Sequence, residues 1–305
     1  MRKLILIVSL ICAPAYAVIN GIPFDWNDHD NLTGGGCTGT LISGDKLITA
    51  RHCQWDSHIA EFPLDAASII GLNDNELFDV SISILERKVK ASSFTPLSNN
   101  IKIGEDLKLL SIGSNQPESA IFTIEKLDNL LMKPKVGDTE KGDSGSPLVN
   151  SKGELVAIHN GHRGDMTAGV QINQIKQYIL DNVNSWHYPT VAKFTGNKPI
   201  TVQSLHINDV ADSAYTDGDV TIIGGTCLGK TNIKPFDTCT YEIQSNGGEG
   251  HLYLTPNENI LINEQVQTTP EPQPDTGSKS GGSFSYLGLL SLFCLSAMRR
   301  KNNCS

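Results

Sequence analysis

The chain has 305 residues, with 33 Asp and Glu against 24 Lys and Arg, so its formal net charge is −9. A hydrophobic content of 39% supports two compact domains with cores, which excludes a chain disordered throughout. The acidic balance argues against nucleic-acid binding, because the phosphate backbone attracts basic surfaces. It mildly favours cationic partners.

Residues 1–17 have the pattern of a signal peptide. Arg2 and Lys3 precede the apolar run Leu4–Ile11, and residues 15–17 read Ala-Tyr-Ala, the small-residue pattern of a cleavage site. We therefore expect removal of residues 1–17 and export from the cytoplasm.

Residues 18–186 consist of short β-branched and apolar runs separated by Gly, Asn and Asp turns, which is typical of an all-β domain with hairpins. The clearest predicted hairpin joins Leu148-Val149 to Leu155–Ile158. One segment instead has helical spacing and predicts an amphipathic helix packed on the strands. Its apolar positions are Ile172, Ile175, Ile179 and Val183.

A second β-rich segment covers residues 190–264. Its texture resembles the small immunoglobulin-like sandwiches appended to bacterial surface proteins. Residues 265–282 are rich in Pro, Thr and Ser and have little apolar surface to bury, so we expect a disordered linker there.

The cysteines fit an exported chain. Of seven cysteines, four lie between the predicted signal peptide and the C-terminal tail: Cys37, Cys53, Cys227 and Cys239. Four cysteines outside the cytoplasm suggest two disulfides. Local pairing, Cys37 with Cys53 and Cys227 with Cys239, is the simplest of the three possible arrangements.

The C-terminal tail, residues 283–305, contains an apolar run, Phe284–Met298, between a Gly pair and the basic residues 299–301. The run is shorter than the ~20 residues of a comfortable transmembrane helix, although flanking cations permit marginal spanning. The tail resembles the Gly-Gly sorting tails of Gram-negative secreted proteins, which a rhomboid-type protease removes. A weak permanent anchor is the alternative.

The stretch Lys141–Val149, KGDSGSPLV, raises the possibility that Ser144 is a nucleophile. Such a serine needs a base, a carboxylate to orient the base, and donors for the oxyanion. His52 follows the predicted strand LITA and precedes a cysteine. Asp79 leads into an apolar strand, where an acid requires hydrogen-bond donors. Asp74, in a polar turn, is the competing acid.

On these motifs, TARHC and GDSGSP in the order His, Asp, Ser, residues 18–186 resemble the trypsin or chymotrypsin family of serine endopeptidases. The resemblance implies two six-stranded antiparallel β-barrels with a C-terminal helix. It implies that Ser144 attacks the scissile carbonyl, His52 acts as base and then acid, and Asp79 fixes the tautomer of His52. The backbone N–H groups of Gly142 and Ser144 would form the oxyanion hole.

The resemblance also indicates a substrate pocket. Asp138, six residues before Ser144, would lie at the pocket base and favour Lys or Arg on the acyl side of the cleaved bond. Gly161 and Gly169 match pocket-wall glycines. A solvated turn is the alternative reading of Asp138, and His159 with Asn160 replaces the usual Ser-Trp pair on the adjoining strand.

Residues 18–21, VING, match the start motif of the family, in which a free amino terminus pairs with the acid beside the nucleophile. That acid is Asp143. Because Val18 directly follows Ala17, signal peptidase itself would create the activating amine.

Three functions follow as hypotheses. The first is a secreted or cell-surface endopeptidase of a Gram-negative bacterium, exported by the type II pathway, with protein substrates cut after Lys or Arg. The second is an inactive homologue that binds proteins or surfaces, and the third is an adhesive module in the second domain. No metal or other cofactor is expected, since the eight histidines lack ligand spacing.

Overall fold

The computed structural model describes residues 18–55, 66–71, 78–113 and 116–265. The predicted signal peptide, the tail at 283–305 and the linker beyond Gln265 lie outside these ranges, as does Asp74. Among the described residues, no helix combines the length and apolar character needed to cross a membrane. The described residues up to Gln265 belong to one compact unit.

Residues 18–186 of this unit form two halves. The first half is an antiparallel sheet in the order β3-β4-β5-β7-β6. Two short strands precede it in the chain, β1 (Val18–Ile19) and β2 (Ile22–Pro23). Its strands are β3 (Leu32–Thr33), β4 (Gly39–Ser43), β5 (Lys46–Thr49), β6 (Ala66–Gly71) and β7 (Ser81–Leu85). Five strands are therefore described where six were expected, and residues 56–65 and 72–77 of this region lie outside the described ranges.

The second half is a closed antiparallel barrel of six strands, as predicted. Its order is β10-β14-β13-β12-β8-β9, and β9 pairs back with β10 to close it. The barrel strands are β8 (Asp106–Ser111), β9 (Glu118–Lys126), β10 (Leu131–Val136), β12 (Pro147–Val149), β13 (Leu155–Arg163) and β14 (Met166–Gln171), and the short β11 (Asp138–Thr139) pairs with β1 outside it.

The predicted hairpin is β12–β13, with Leu148 opposite Ala157. Its turn is held by Asn150, whose side-chain oxygen accepts the backbone N–H groups of Lys152 and Glu154 at 2.9 and 3.1 Å. Gly153 has φ +77°, which favours glycine. The sequence pattern therefore predicted both the strands and the turn residues of this hairpin.

The predicted helix is confirmed but shorter than its apolar pattern. A 3₁₀ turn, Ile172–Ile175, leads into α1 (Lys176–Val183), which ends at Asn184 in the left-handed conformation. The four apolar positions of the pattern are buried in one cluster with residues of the first sheet, including Ile48 and Ile82. Burial of this stripe fixes the helix against the strands.

The C-terminal domain is a β-sandwich of two four-stranded sheets, β15-β17-β20-β19 and β16-β22-β21-β18. Both sheets contribute to one buried core that includes Val202, Tyr241, Leu252 and Ile260. The strands are β15 (Trp186–His187), β16 (Val191–Ala192), β17 (Gly196–Ser204), β18 (Tyr215–Gly218), β19 (Thr221–Gly224), β20 (Thr238–Ser245), β21 (Gly250–Thr255) and β22 (Glu258–Ile262).

Both predicted disulfides are present. Cys37 is bonded to Cys53 in the first half of the unit, and Cys227 is bonded to Cys239 in the sandwich. The all-β class with one terminal helix and a C-terminal β-domain is thereby confirmed in its main features. The expected boundary between residues 186 and 190 stays a prediction.

The sandwich contacts the segment that joins the first sheet to the barrel. The buried amide of Gln203 accepts the backbone N–H of Leu97 at 2.8 Å and donates to the carbonyl of Leu97 at 2.7 Å. It also donates to the carbonyl of Phe236 at 3.1 Å. Thr190 and Ala91 exchange two further hydrogen bonds across the same junction.

We predict that Gln203→Ala lowers the free energy of unfolding by about 2 to 3 kcal/mol, because it leaves buried backbone groups of Leu97 without partners. Gln244→Ala, at an exposed position of the neighbouring strand, is the control and should change stability by less than about 0.5 kcal/mol. Chemical denaturation measures both. Equal effects of the two substitutions would show that the junction contributes nothing specific.

Candidate active site

His52 and Asp79 are brought together by strand register. β5 pairs with β7 so that Thr49 lies opposite Ser81. His52 lies in the 3₁₀ turn that follows β5, and Asp79 lies just before β7. Two residues 27 positions apart in sequence therefore meet at the same edge of the sheet.

The two side chains are joined by a close hydrogen bond. His52 Nδ1 lies 2.5 Å from Asp79 Oδ2, and the backbone N–H of His52 donates to Asp79 Oδ1 at 2.9 Å. The pair is partly exposed, with 48% of the His52 side chain and 27% of the Asp79 side chain accessible. Asp79 thus fixes Nδ1 as the protonated ring nitrogen and leaves Nε2 as the basic one.

The pair shifts the pKa of both partners. The hydrogen bond from Asp79 raises the pKa of His52, although partial burial acts in the opposite direction. Burial alone would raise the pKa of Asp79, but hydrogen bonds from the His52 ring and from backbone N–H groups outweigh it and lower that pKa. Asp79 is therefore an anion at neutral pH, and it stabilises the imidazolium form of His52.

Ser144 lies in the turn between β11 and β12, and its backbone is tied to both halves of the unit. Its carbonyl accepts the N–H of Thr38 at 2.9 Å and lies 3.7 Å from the sulfur of Cys53, the residue after His52. On the other side, Gly145 N–H donates to the carbonyl of His159 at 2.8 Å. These contacts place the Ser144 turn beside the His52 turn.

The Ser144 turn requires glycine on both sides of the serine. Gly145 has φ +84°, and a Cβ there would lie 2.1 Å from the carbonyl oxygen of Thr38. Gly142 has φ +111°, and its carbonyl packs so closely on Gly113 that a Cβ on Gly113 would lie 1.9 Å away from it. Gly142 and Ser144 are the predicted oxyanion donors, and neither backbone N–H donates to an acceptor among the described residues.

Asp138 lies in β11, which pairs with β1 so that Ile19 is opposite Asp138. The half-buried Asp138 carboxylate accepts the N–H of Thr139 at 2.8 Å. Of the two predicted pocket-wall glycines, Gly161 has open space where a Cβ would be. The corresponding space at Gly169 is filled by Leu148 and the carbonyl of Ile158.

Two histidines next to this region were not predicted to take part. Thr139 Oγ1 lies 2.7 Å from His162 Nε2. The ring of His162 meets that of His159 edge to face, with 6.2 Å between centroids. His159 is buried with Nδ1 3.0 Å from the carbonyl of Ala168, and burial lowers its pKa to about 4. Its Nδ1 therefore carries the proton and donates to Ala168.

The predicted pair between Val18 and Asp143 is not formed in this chain, where Val18 N is a peptide nitrogen. Val18 N–H instead donates to Glu118 Oε2 at 3.2 Å. Asp143 is fully buried, and its Oδ2 accepts the N–H of Glu140 at 2.8 Å. No sequence signal marked Glu118, which lies 100 residues from Val18.

Within the described ranges, one group of side chains has the proximity that a metal ion needs. Its ligand atoms, from Cys37, His52 and Cys53, lie within 4.8 Å of one another. The two sulfurs are joined in a disulfide, so neither is available as a thiolate. The group therefore does not fit a metal site.

Comparison with known proteins finds similarity at the level of structure. No protein-family model matches the chain, and no curated protein matches it in sequence. Among solved structures, a mutant of human heparin binding protein is similar over 54% of this chain and 97% of its own, with 17% identity and a TM-score of 0.45. The assignment of roles below therefore depends on the geometry of the site.

We predict that Asp79→Asn lowers the pKa of His52, because the amide cannot stabilise the charged imidazolium as the carboxylate does. The matched control is Asp217→Asn in the sandwich, where Asp217 makes a similar 2.9 Å contact with His251 Nδ1. NMR titration of the His52 ring should show the shift in the first variant only. An unchanged His52 titration in Asp79→Asn would contradict the pairing.

Proposed function

We propose that the chain is an exported serine endopeptidase with Ser144 as nucleophile, His52 as general base and Asp79 as the residue that orients His52. The observation that carries this proposal is the 2.5 Å contact between His52 Nδ1 and Asp79 Oδ2, next to the anchored Ser144 turn. It directs the basic Nε2 atom away from Asp79. A solvated histidine on a random surface lacks this fixed tautomer.

The reaction divides into two steps. The Ser144 oxygen forms a bond to the scissile carbonyl carbon while His52 Nε2 takes the hydroxyl proton. The resulting oxyanion is stabilised by the N–H groups of Gly142 and Ser144, and its collapse expels the amine, which receives the proton from His52. Water then attacks the acyl-enzyme with His52 again as base, which releases the acid and restores Ser144.

Because only neutral His52 accepts the proton, kcat/KM should fall as the pH falls through the pKa of His52. The hydrogen bond to Asp79 raises this pKa, so the acidic limb lies at a higher pH than an isolated histidine would give.

We predict that Ser144→Ala reduces kcat/KM for peptide or ester hydrolysis by about 10⁶-fold, because it removes the nucleophile. Ser146→Ala is the matched control in the same turn. Ser146 is buried and its hydroxyl has no partner among the described residues, so activity should remain within about twofold. If the wild-type protein and Ser144→Ala show the same hydrolysis, or none, the endopeptidase proposal is wrong and the inactive-homologue hypothesis is favoured.

Substrate preference depends on which side chains face the P1 residue. The proposal of Lys or Arg follows from Asp138, whose carboxylate would pair with a cationic side chain that enters beside Gly161. A second candidate is an acidic P1 residue. It is favoured by the contact between Thr139 and His162, which together offer a hydroxyl and an imidazole to a carboxylate.

We predict that a peptide library gives Lys or Arg at P1 and that Asp138→Ser reduces this preference by about 100-fold or more, since the unpaired cation then loses its counter-charge. His162→Gln is the complementary variant and should leave a basic preference intact. An acidic preference that His162→Gln abolishes would contradict the role of Asp138 and assign recognition of the P1 residue to Thr139 and His162.

Export is proposed from the signal-peptide pattern and is supported by the two disulfides, which persist in oxidising compartments. Type II secretion, the processing of the Gly-Gly tail and a transient membrane contact by that tail are proposed from sequence alone. Amino-terminal sequencing of the secreted protein tests whether it begins at Val18.

A further inference from the structure

The first residues of β1 lie in a socket built by three segments. Val18 is 1% exposed, and its backbone pairs with Thr139 of β11. The chain then reverses at Gly21, so that β2 pairs with the start of β9 and Pro23 lies opposite Glu118. A Cβ on Gly21 would lie 2.8 Å from the Cβ of Val18 and 3.1 Å from that of Glu118. The strand register, together with the absence of a side chain at Gly21, thus brings Val18 N within hydrogen-bonding distance of the Glu118 carboxylate.

The socket contains two acids without cations. Glu118 is 8% exposed and Asp143 is fully buried, and neither has a Lys, Arg or His ion-pair partner among the described residues. Asp143 Oδ1 accepts no hydrogen bond from a described group. A buried carboxylate in this condition is costly, and two of them near each other cost more.

The charges around Asp143 all act in one direction. Burial is the largest cause that raises its pKa, to about 7, and the carboxylates of Glu140 and Glu118 add to the increase. The Ser111 hydroxyl and the Glu140 backbone N–H, which donates to Asp143 Oδ2, act in the opposite direction and lower the pKa of Asp143. Among the described residues, therefore, no positive charge compensates Glu118 and Asp143.

We infer that Glu118 is a positioning residue that binds the free α-ammonium of Val18, so that one cation is shared by Glu118 and Asp143. This inference rests on the proposed function, because a free amine at Val18 arises only if the chain is cut before that residue. A peptide nitrogen offers one donor, whereas an ammonium offers three. One N–H of the ammonium can donate to Glu118 Oε2 while its positive charge compensates both Glu118 and Asp143.

The consequence reaches the oxyanion turn. Asp143 lies between Gly142 and Ser144 and accepts the Glu140 N–H, so its ionised form stabilises the turn that presents the two N–H donors. A cation beside Glu118 removes the repulsion that Glu118 exerts on Asp143. Glu118 thereby acts on catalysis through Asp143, without contact with the substrate.

The first test measures the amine directly. Two full-length proteins are compared, one that begins at Val18 and one that retains Ala17, and each is treated with an acetylating reagent and analysed by mass spectrometry. In the protein that begins at Val18, the α-amine should be acetylated at least about tenfold more slowly than the exposed terminus of the Ala17 form. Glu118→Gln should remove most of this protection, and Glu118→Asp should restore part of it.

Glu125→Gln is the matched control, because Glu125 lies on the same strand and makes only an exposed 3.6 Å ion pair with Lys133. Its α-amine should stay protected. Unchanged protection in Glu118→Gln, with a circular dichroism spectrum like that of the wild type, would overturn the inference.

The second readout is the pH profile of hydrolysis. Loss of the anion lowers the pKa of the Val18 ammonium, so Glu118→Gln should lose activity at a lower alkaline pH than the wild type, with KM unchanged and kcat reduced. If Glu118→Gln is active and its alkaline limb coincides with that of the wild type, the role of Glu118 is refuted but the proposed function is not. Glu118-dependent protection in a protein that hydrolyses nothing refutes the proposed function and leaves the socket in place.

Discussion

The site depends on the backbone of residues 144–146, which is bonded to both halves of the unit at once. Thr38 of the first half donates to the carbonyl of Ser144, while Gly145 and Ser146 exchange hydrogen bonds with His159 of the barrel strand β13. The close approach of Thr38 leaves no room for a side chain at position 145, because a Cβ there would lie 2.1 Å from the Thr38 carbonyl oxygen. The same contacts therefore join the two halves and hold Ser144, the proposed nucleophile, in position.

Two aspartates near the contact between the halves, Asp79 and Asp143, differ in burial and in hydrogen bonding. Asp79 is partly exposed and receives several hydrogen bonds, so it is held as an anion beside His52. Asp143 is fully buried, with one carboxylate oxygen that has no hydrogen-bond partner in the part of the chain that the structure describes, and burial raises its pKa. In the proposed mechanism, Asp79 stabilises the imidazolium of His52, and Asp143 is stabilised once the Val18 ammonium lies beside it. The same residue type thus serves two purposes that its environment selects.

The parts that could be predicted from the sequence are those encoded within a few residues. The β12–β13 hairpin, the helix α1 and the two disulfides each join segments that lie close in the chain, and all were predicted correctly. His52, Asp79 and Ser144 stood out because each lies in a distinctive short motif. Glu118, His162 and Gln203 could not be found this way, because their contacts depend on strand register across 100, 23 and 106 residues. Periodicity specifies which face of a strand is buried but not which distant strand lies opposite.

The sandwich is hydrogen-bonded to the preceding part of the chain and packs against it, so it is not structurally independent. Gln203, Thr190 and His187 bond the backbone of residues 91–97, the segment that leads from the first sheet to the barrel. Leu205 of the same domain is buried in the cluster that contains Ile48 and Ile82 of the strands β5 and β7, which position His52 and Asp79. A change in the sandwich therefore alters the packing beneath the candidate active site, since packed cores transmit strain. Because the sandwich and the site share this core, deleting the sandwich would remove structural support from the candidate active site as well as any binding surface of its own.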